Sequence, residues 1–338
     1  MFHKALWYQN FKQTKILMFF LLVLYIIHLP FQAMLQVESW RVELEEFGQI
    51  NMYYWSSGQT IYFIFSEGAL PIFIMIAIIF LACLLIGVER NTRRMDFTFS
   101  FPFKRRDIFL SKMIYGMFMI ISFHTINFLV AYLILFQSEF RYTLSDVTMT
   151  NIYFGPLIVF LFIFTFALFI GTITGEMISQ VVLTFIFGIF PLGIAFLIIT
   201  SMDIHRAQPY YREFPYWVET YTPLFYITST TNGFINSVLY PLIGLVIFAI
   251  LSILLYQKNK IEHNGEFLIF KQLHPIFKYG IIICFSLFGG IIISSLAPWG
   301  GSQTFQIIGY WIGFVIFALF SYLISRRLLN MNVLVRNK

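Results

Sequence analysis

Residues 153–174 read YFGPLIVFLFIFTFALFIGTIT. These 22 residues include no charged side chain, amide or histidine. An apolar run of about 20 residues crosses the hydrocarbon core of a bilayer as a helix. A barrel strand is about half that length and alternates apolar with polar residues, which this run does not do.

Seven more runs of the same kind lie on either side, at 16–35, 69–88, 113–136, 181–200, 237–256, 280–297 and 306–325. The 338-residue chain is 59% hydrophobic and 11% charged, with a mean hydropathy of +0.79. Soluble domains are roughly a quarter charged. The predicted fold is therefore an all-α integral membrane protein, a polytopic helical bundle of about eight transmembrane helices. No polar stretch between the runs is long enough for a separate soluble catalytic domain. The first run is too long for a signal-peptide core, and no small-residue cleavage site follows it, so it is expected to remain in the mature protein.

Charge sets the expected orientation. With the N-terminus inside, 18 of the 22 Lys and Arg residues fall on the inner side, and ten of the 16 acidic residues fall outside. That asymmetry follows the positive-inside rule and places both termini in the cytoplasm of a multi-pass plasma-membrane protein. The net charge of +6 then reflects topology, and no nucleic-acid partner is expected. The basic inner rim suits anionic lipid headgroups. Cys83 and Cys284 both fall in predicted spans, and no disulfide is predicted.

Residues 2–15 place Phe2, Leu6, Trp7 and Phe11 at near-helical spacing, with Lys4, Lys12 and Lys15 interspersed. This pattern predicts an amphipathic helix on the inner interface. The outer segment 36–68 is acidic and aromatic. Within it Glu67 stands between IYFIF and GALP. If the second span begins early, Glu67 lies in the outer leaflet near a substrate path; otherwise it ends a solvated loop. GTITGEMISQ predicts a tight inner hairpin between the fourth and fifth spans, and residues 201–236 are expected to cap the outer face. His205 with Asp203 is half of a metal site lacking further ligands nearby, so no metal site is expected. The layout divides into a six-span core, 1–256, and a basic link with an appended two-span hairpin, 257–338.

The sequence has no G-x-x-x-x-G-K-[ST] phosphate loop, no H-E-x-x-H and no G-x-S-x-G. No Asp, Glu, Lys or Arg falls in the middle of a predicted span, where ion-coupled pumps usually need one. His28 and His124 are read as packing residues. These features argue against an enzyme and against an ion-coupled carrier. They leave a passive channel or a subunit driven by another protein.

The charge that the spans lack is gathered in residues 87–112, GVERNTRRMDFTFSFPFKRRDIFLSK, which hold ten charged residues. Pro102 divides this island, since proline ends one helix and can begin the next. A helix over 88–99 puts Val88, Thr92, Met95 and Phe99 on one face, whereas the alternation Met95, Phe97, Phe99, Phe101, Phe103 suits an extended piece. Periodicity leaves both open. Read alone, the basic residues anchor topology.

Glu89, Met95-Asp96-Phe97, Ser100-Phe101-Pro102, Arg105, Ile108 and Lys112 follow the order of a pattern found in one family. In this the sequence resembles the ABC-2 class of ATP-binding-cassette permeases, whose loop between spans two and three has a Glu-led helix, a Ser-x-Pro step, an Arg and a Lys entering the next span. Asn91, where a second acid is common, and Arg94, where Thr is common, depart from it. The resemblance covers the six-span core best and gives no support for the final hairpin. Within the class the layout is most similar to permeases of Gram-positive operons with a GntR-type regulator, including the acetoin-operon (Ytr) type and the exporters of phenol-soluble modulins.

The resemblance implies a transmembrane subunit without a nucleotide-binding domain, paired with a second permease chain and driven by two copies of a separate ABC ATPase that holds ATP and Mg. On this reading Glu89, Met95, Asp96, Phe97, Phe99, Pro102 and Arg105 form the ATPase-coupling contact. Lys104, Arg106 and Lys112 hold membrane lipids. The expected cargo is an amphipathic peptide of the modulin type. Lipid or cell-wall precursors as cargo, or a membrane sensor of peptide antibiotics, are the alternatives.

Overall fold

The structure is a computed structural model describing residues 4–47, 57–91, 103–206, 218, 221–227, 238–259, 265–298 and 303–329. Eight helices among the described residues are long and apolar enough to cross a membrane.

No Gly or Pro occurs between Phe2 and Leu29, so nothing interrupts the first helix. α1 (Lys4–Ile26) passes through a π turn (Ile27–Phe31) straight into α2 (Gln32–Phe47). Pro30 lies within the π turn, where the wider winding accommodates a residue that cannot donate to the ladder. At about 1.5 Å per residue, this continuous helix is roughly twice as long as the hydrocarbon core is thick. Two sequence expectations change accordingly. Residues from Lys4 to Lys15 are the opening turns of α1 and not a separate interfacial helix: Leu6, Asn10 and Thr14 are buried in the bundle. The outer segment expected as a loop carries the helical turns of α2 and a further helix, α3 (Ser57–Phe65).

α4 (Leu70–Asn91) follows α3 across a short break in which Gly68 takes a φ of +95°. Side chains other than glycine rarely tolerate that conformation, and a Cβ there would also press on the Phe63 ring. α5 (Arg105–Gln137) then runs back across the bundle. A π turn (Thr150–Phe154) leads into α6 (Gly155–Ile173), the stretch that opened the sequence reading. Its apolar window is 83% buried inside the protein, against 17% for each of the last four spans. α6 is therefore the central post, and being hydrophobic all round suits that place.

Three residues separate α6 from α7 (Met177–Ile204), the tight hairpin expected from GTITGEMISQ. α8 (Tyr240–Lys258) packs along α6. Between α7 and α8, Pro223–Ile227 forms a 3-10 turn that enters the bundle: a Cβ on Gly188 of α7 would collide with Leu224, and Tyr226 meets the Phe162 ring. The appended pair, α9 (His274–Ser295) and α10 (Gln303–Leu329), packs so closely that a Cβ on Gly313 would land on the Gly289 carbonyl. Small residues allow such approach in lipid. This pair meets the core chiefly through α7.

Candidate functional site

Lipid tails are as apolar as Leu, so hydrophobicity alone does not hold spans together in a membrane. Close packing and polar ties do. The polar ties of this bundle concentrate at the end where the charged island begins.

The last turn of α4 reads Glu89-Arg90-Asn91. Successive residues project about 100° apart around a helix, so these three fan out to different neighbours. Glu89 Oε1 accepts from Lys112 Nζ of α5 at 2.5 Å and from Gln9 Nε2 of α1 at 3.4 Å. Lys112 Nζ also donates to the Leu85 carbonyl at 2.8 Å. With its amide oriented to suit its neighbours, Asn259, just past α8, accepts from Arg90 Nη2 at 2.8 Å. Asn91 Oδ1 accepts from the Met177 backbone N–H at 3.1 Å, capping the exposed donors at the start of α7 from another helix. One helical turn thus touches α1, α5, α7 and the end of α8.

Other residues tighten this layer. Gln180 of α7 lies between α4 and α6, where a Cβ on Gly87 or on Gly171 would collide with its amide, and Nε2 donates to the Ala167 carbonyl at 3.0 Å. Arg105, at the start of α5, donates from Nη1 to the Asn259 carbonyl at 2.6 Å. A cation is well placed at the carbonyl end of α8. Glu176 begins α7 and accepts from Ser179 Oγ at 3.3 Å; burial pushes its carboxyl up. The backbone of the link closes the layer. Gly175 N–H donates to the Glu266 carbonyl at 3.1 Å, Gly265 N–H to the Gly175 carbonyl at 2.8 Å, and Ile269 N–H to the Ile173 carbonyl at 2.9 Å. Arg90 Nε and Nη1 are buried without a hydrogen-bond partner.

Glu89, Arg105 and Lys112 are therefore brought together at the foot of the island. From sequence, Glu89 faces basic groups of another protein and Lys112 faces lipid phosphates. In the structure they face each other, each side chain 2% exposed. The reason is packing: α4 and α5 are antiparallel neighbours, which sets the end of one beside the start of the other. Arg105 is directed onto the α8 terminus. Lys104 and Arg106 are exposed. Met95, Asp96, Phe97, Phe99 and Pro102 lie outside the described residues. Glu67 is half-buried at the opposite end, in the break between α3 and α4, where its backbone N–H donates to the Tyr62 carbonyl at 2.9 Å. Among the described residues no three His, Cys, Asp or Glu side chains gather as a metal site would need.

No family model matches the chain, and no solved structure matches it. Two curated proteins do. Over 246 residues the chain is 26% identical to the probable ABC transporter permease YtrD of Bacillus subtilis (strain 168), covering 71% of this chain and 72% of that one. Over 230 residues it is 25% identical to the probable ABC transporter permease YtrC of the same organism, covering 62% and 68%. Both relatives support an ABC transporter permease. The eight spans and the resemblance agree on a multi-pass membrane protein engaged in transport.

In a permease of this kind the polar layer was only partly legible beforehand. Glu89, Arg105 and Lys112 stood out through the island pattern. Gln9, Arg90, Gln180 and Asn259 did not. Their signal is an amide or cation at the edge of an apolar run, joined for Gln180 by two glycines, Gly87 and Gly171, on other helices.

Proposed function

We propose that the chain is the transmembrane subunit of an ATP-driven exporter of the ABC-2 type, in a Gram-positive plasma membrane. Its basic end faces the cytoplasm. The island, with Met95, Asp96, Phe97, Phe99 and Pro102, docks on a separate ATPase that holds ATP and Mg, and two permease chains pair with two ATPase chains. The cargo is an amphipathic peptide.

The observation that carries this reading is the fan of Glu89, Arg90 and Asn91. A displacement of the island is handed at once to α1, α5, α7 and the end of α8 through short polar contacts. Movement of a docking loop is then movement of several spans, as a driven permease requires. The apolar, Phe-rich spans suit an amphipathic cargo better than a small ion.

The test is co-purification of the chain with a candidate ABC ATPase, followed by turnover assays with and without amphipathic helical peptides. The expected result is a stable complex whose ATP hydrolysis rises with peptide. Asp96→Lys is expected to weaken association while membrane insertion persists. A chain that binds no ATPase and leaves its turnover unchanged is not such a subunit.

A further inference from the structure

At the same end of the bundle, between α6, α7 and α8, lies a cavity of about 480 Å³. Its wall includes Phe169 and Ile173 of α6, Phe187 of α7, Leu255 of α8, and Leu273 and Phe277 at the start of α9. The volume falls within the roughly 300–1,000 Å³ of ligand sites. Its wall runs from Ile173, Leu255 and Leu273 at the basic end to Pro191 and Phe248, midway along α7 and α8, and includes Pro223 of the inserted 3-10 turn, so it reaches about one leaflet deep.

The surroundings of its interfacial end differ from its wall. The 3-10 turn Lys271–Leu273 carries exposed Lys271 between two lining residues, Phe270 and Gln272. The next residue, His274, has a buried Nε2 without a hydrogen-bond partner. One turn on, Lys278 lies over the Tyr322 ring at 4.3 Å from its centroid. An apolar slot of leaflet depth therefore ends beside a cation, Lys271.

We infer that this cavity is a binding site for one acyl chain of an anionic phospholipid from the leaflet at the basic end, with its phosphate beside Lys271. In a bilayer the medium bordering the cavity is hydrocarbon, and the charge at its end selects an anionic headgroup. The site lies on the seam between the core and the appended pair, where Phe187 and Phe277 meet edge to face at 5.3 Å. The lipid completes that seam and holds α9 against α7. The assignment of the leaflet rests on the orientation given under Proposed function; the site itself does not depend on transport or on an ATPase.

The experiment uses the full chain in nanodiscs containing phosphatidylglycerol with a diazirine on one acyl chain. Crosslinking is expected to map to peptides containing Phe169–Ile173 and Leu273–Phe277. Native mass spectrometry is expected to show one retained lipid, with phosphatidylglycerol preferred over phosphatidylcholine. Lys271→Ala lowers that preference about fivefold, the value of one interfacial cation. Leu255→Trp fills the slot and removes the retained lipid. Crosslinks confined to the outer faces of the helices, a dimer without retained lipid, or a Leu255→Trp chain that keeps its lipid would each overturn the assignment. Crosslinking of the unsubstituted chain decides the matter even if a variant fails to fold. Loss of lipid with ATPase association intact separates this inference from the transport reading.

Discussion

Lys112 Nζ lies 2.5 Å from Glu89 Oε1, in a pair whose side chains are each 2% exposed. The two charges come from residues that sequence reading sends to different partners. Their pairing turns the foot of the docking island into part of the bundle's interior.

A buried pair is costly to break from one side, because the remaining charge keeps its desolvation cost without its attraction. Lys112→Met is expected to destabilise the chain by about 3–5 kcal/mol, whereas Glu89→Leu combined with Lys112→Met recovers most of the loss. Thermal melting in detergent of the wild type, both single variants and the double variant measures it. Equal losses in the single and double variants would show that the pair is not coupled.

Gly171 leaves room for the Gln180 amide. Gly171→Ala is expected to cost about 1–3 kcal/mol by overpacking. Truncating the obstructing side chain with Gln180→Ala in the same chain recovers part of it, although the bond to the Ala167 carbonyl is then lost. Melting temperatures of the two single variants and the double variant check the coupling.

Asn91 caps α7 from across the bundle. Asn91→Ala is expected to cost about 1 kcal/mol, as for an ordinary helix cap. The local readout is hydrogen exchange: the amide of Met177 should exchange faster in the variant. Unchanged exchange there would remove Asn91 from this role.

Glu176 supplies a pH signature. Its folded carboxyl is raised above the ordinary 4.5 by burial, against the opposing hydrogen bond from Ser179. The folded state therefore binds its proton more tightly than the unfolded one. This contribution to stability is complete below pH 4.5 and is lost as pH rises through the raised folded value. Glu176→Gln is expected to remove that loss, so the variant gains on the wild type as pH increases. Melting both proteins across mildly acidic to neutral pH tests the sign.

Local signals explain what was legible. The span positions follow from runs such as 153–174, because hydropathy is a property of the run itself. Gly and Pro are absent between Phe2 and Leu29, but the sequence reading still divided this stretch before residue 16. The amphipathic pattern of residues 2–15 pointed to the interface instead, because a helix with one polar stripe reads alike whether that stripe meets water or buried partners such as Glu89 and Tyr115. Gln9, at that stripe, reaches Glu89 at 3.4 Å, and Thr14 Oγ1 shares a hydrogen bond of 2.9 Å with Tyr115 Oη.

By itself the sequence determined an eight-span helical bundle, a basic side and an acidic side, and a charged island between spans two and three. Each of these follows from short-range composition against the thickness and charge of a bilayer. Only the tertiary structure decided that Glu89 belongs to Lys112, Arg90 to Asn259, and Asn91 to the start of α7. Those pairings join residues 23, 169 and 86 positions apart. They depend on which helices lie side by side, and an apolar run carries no record of which face it turns to a neighbour.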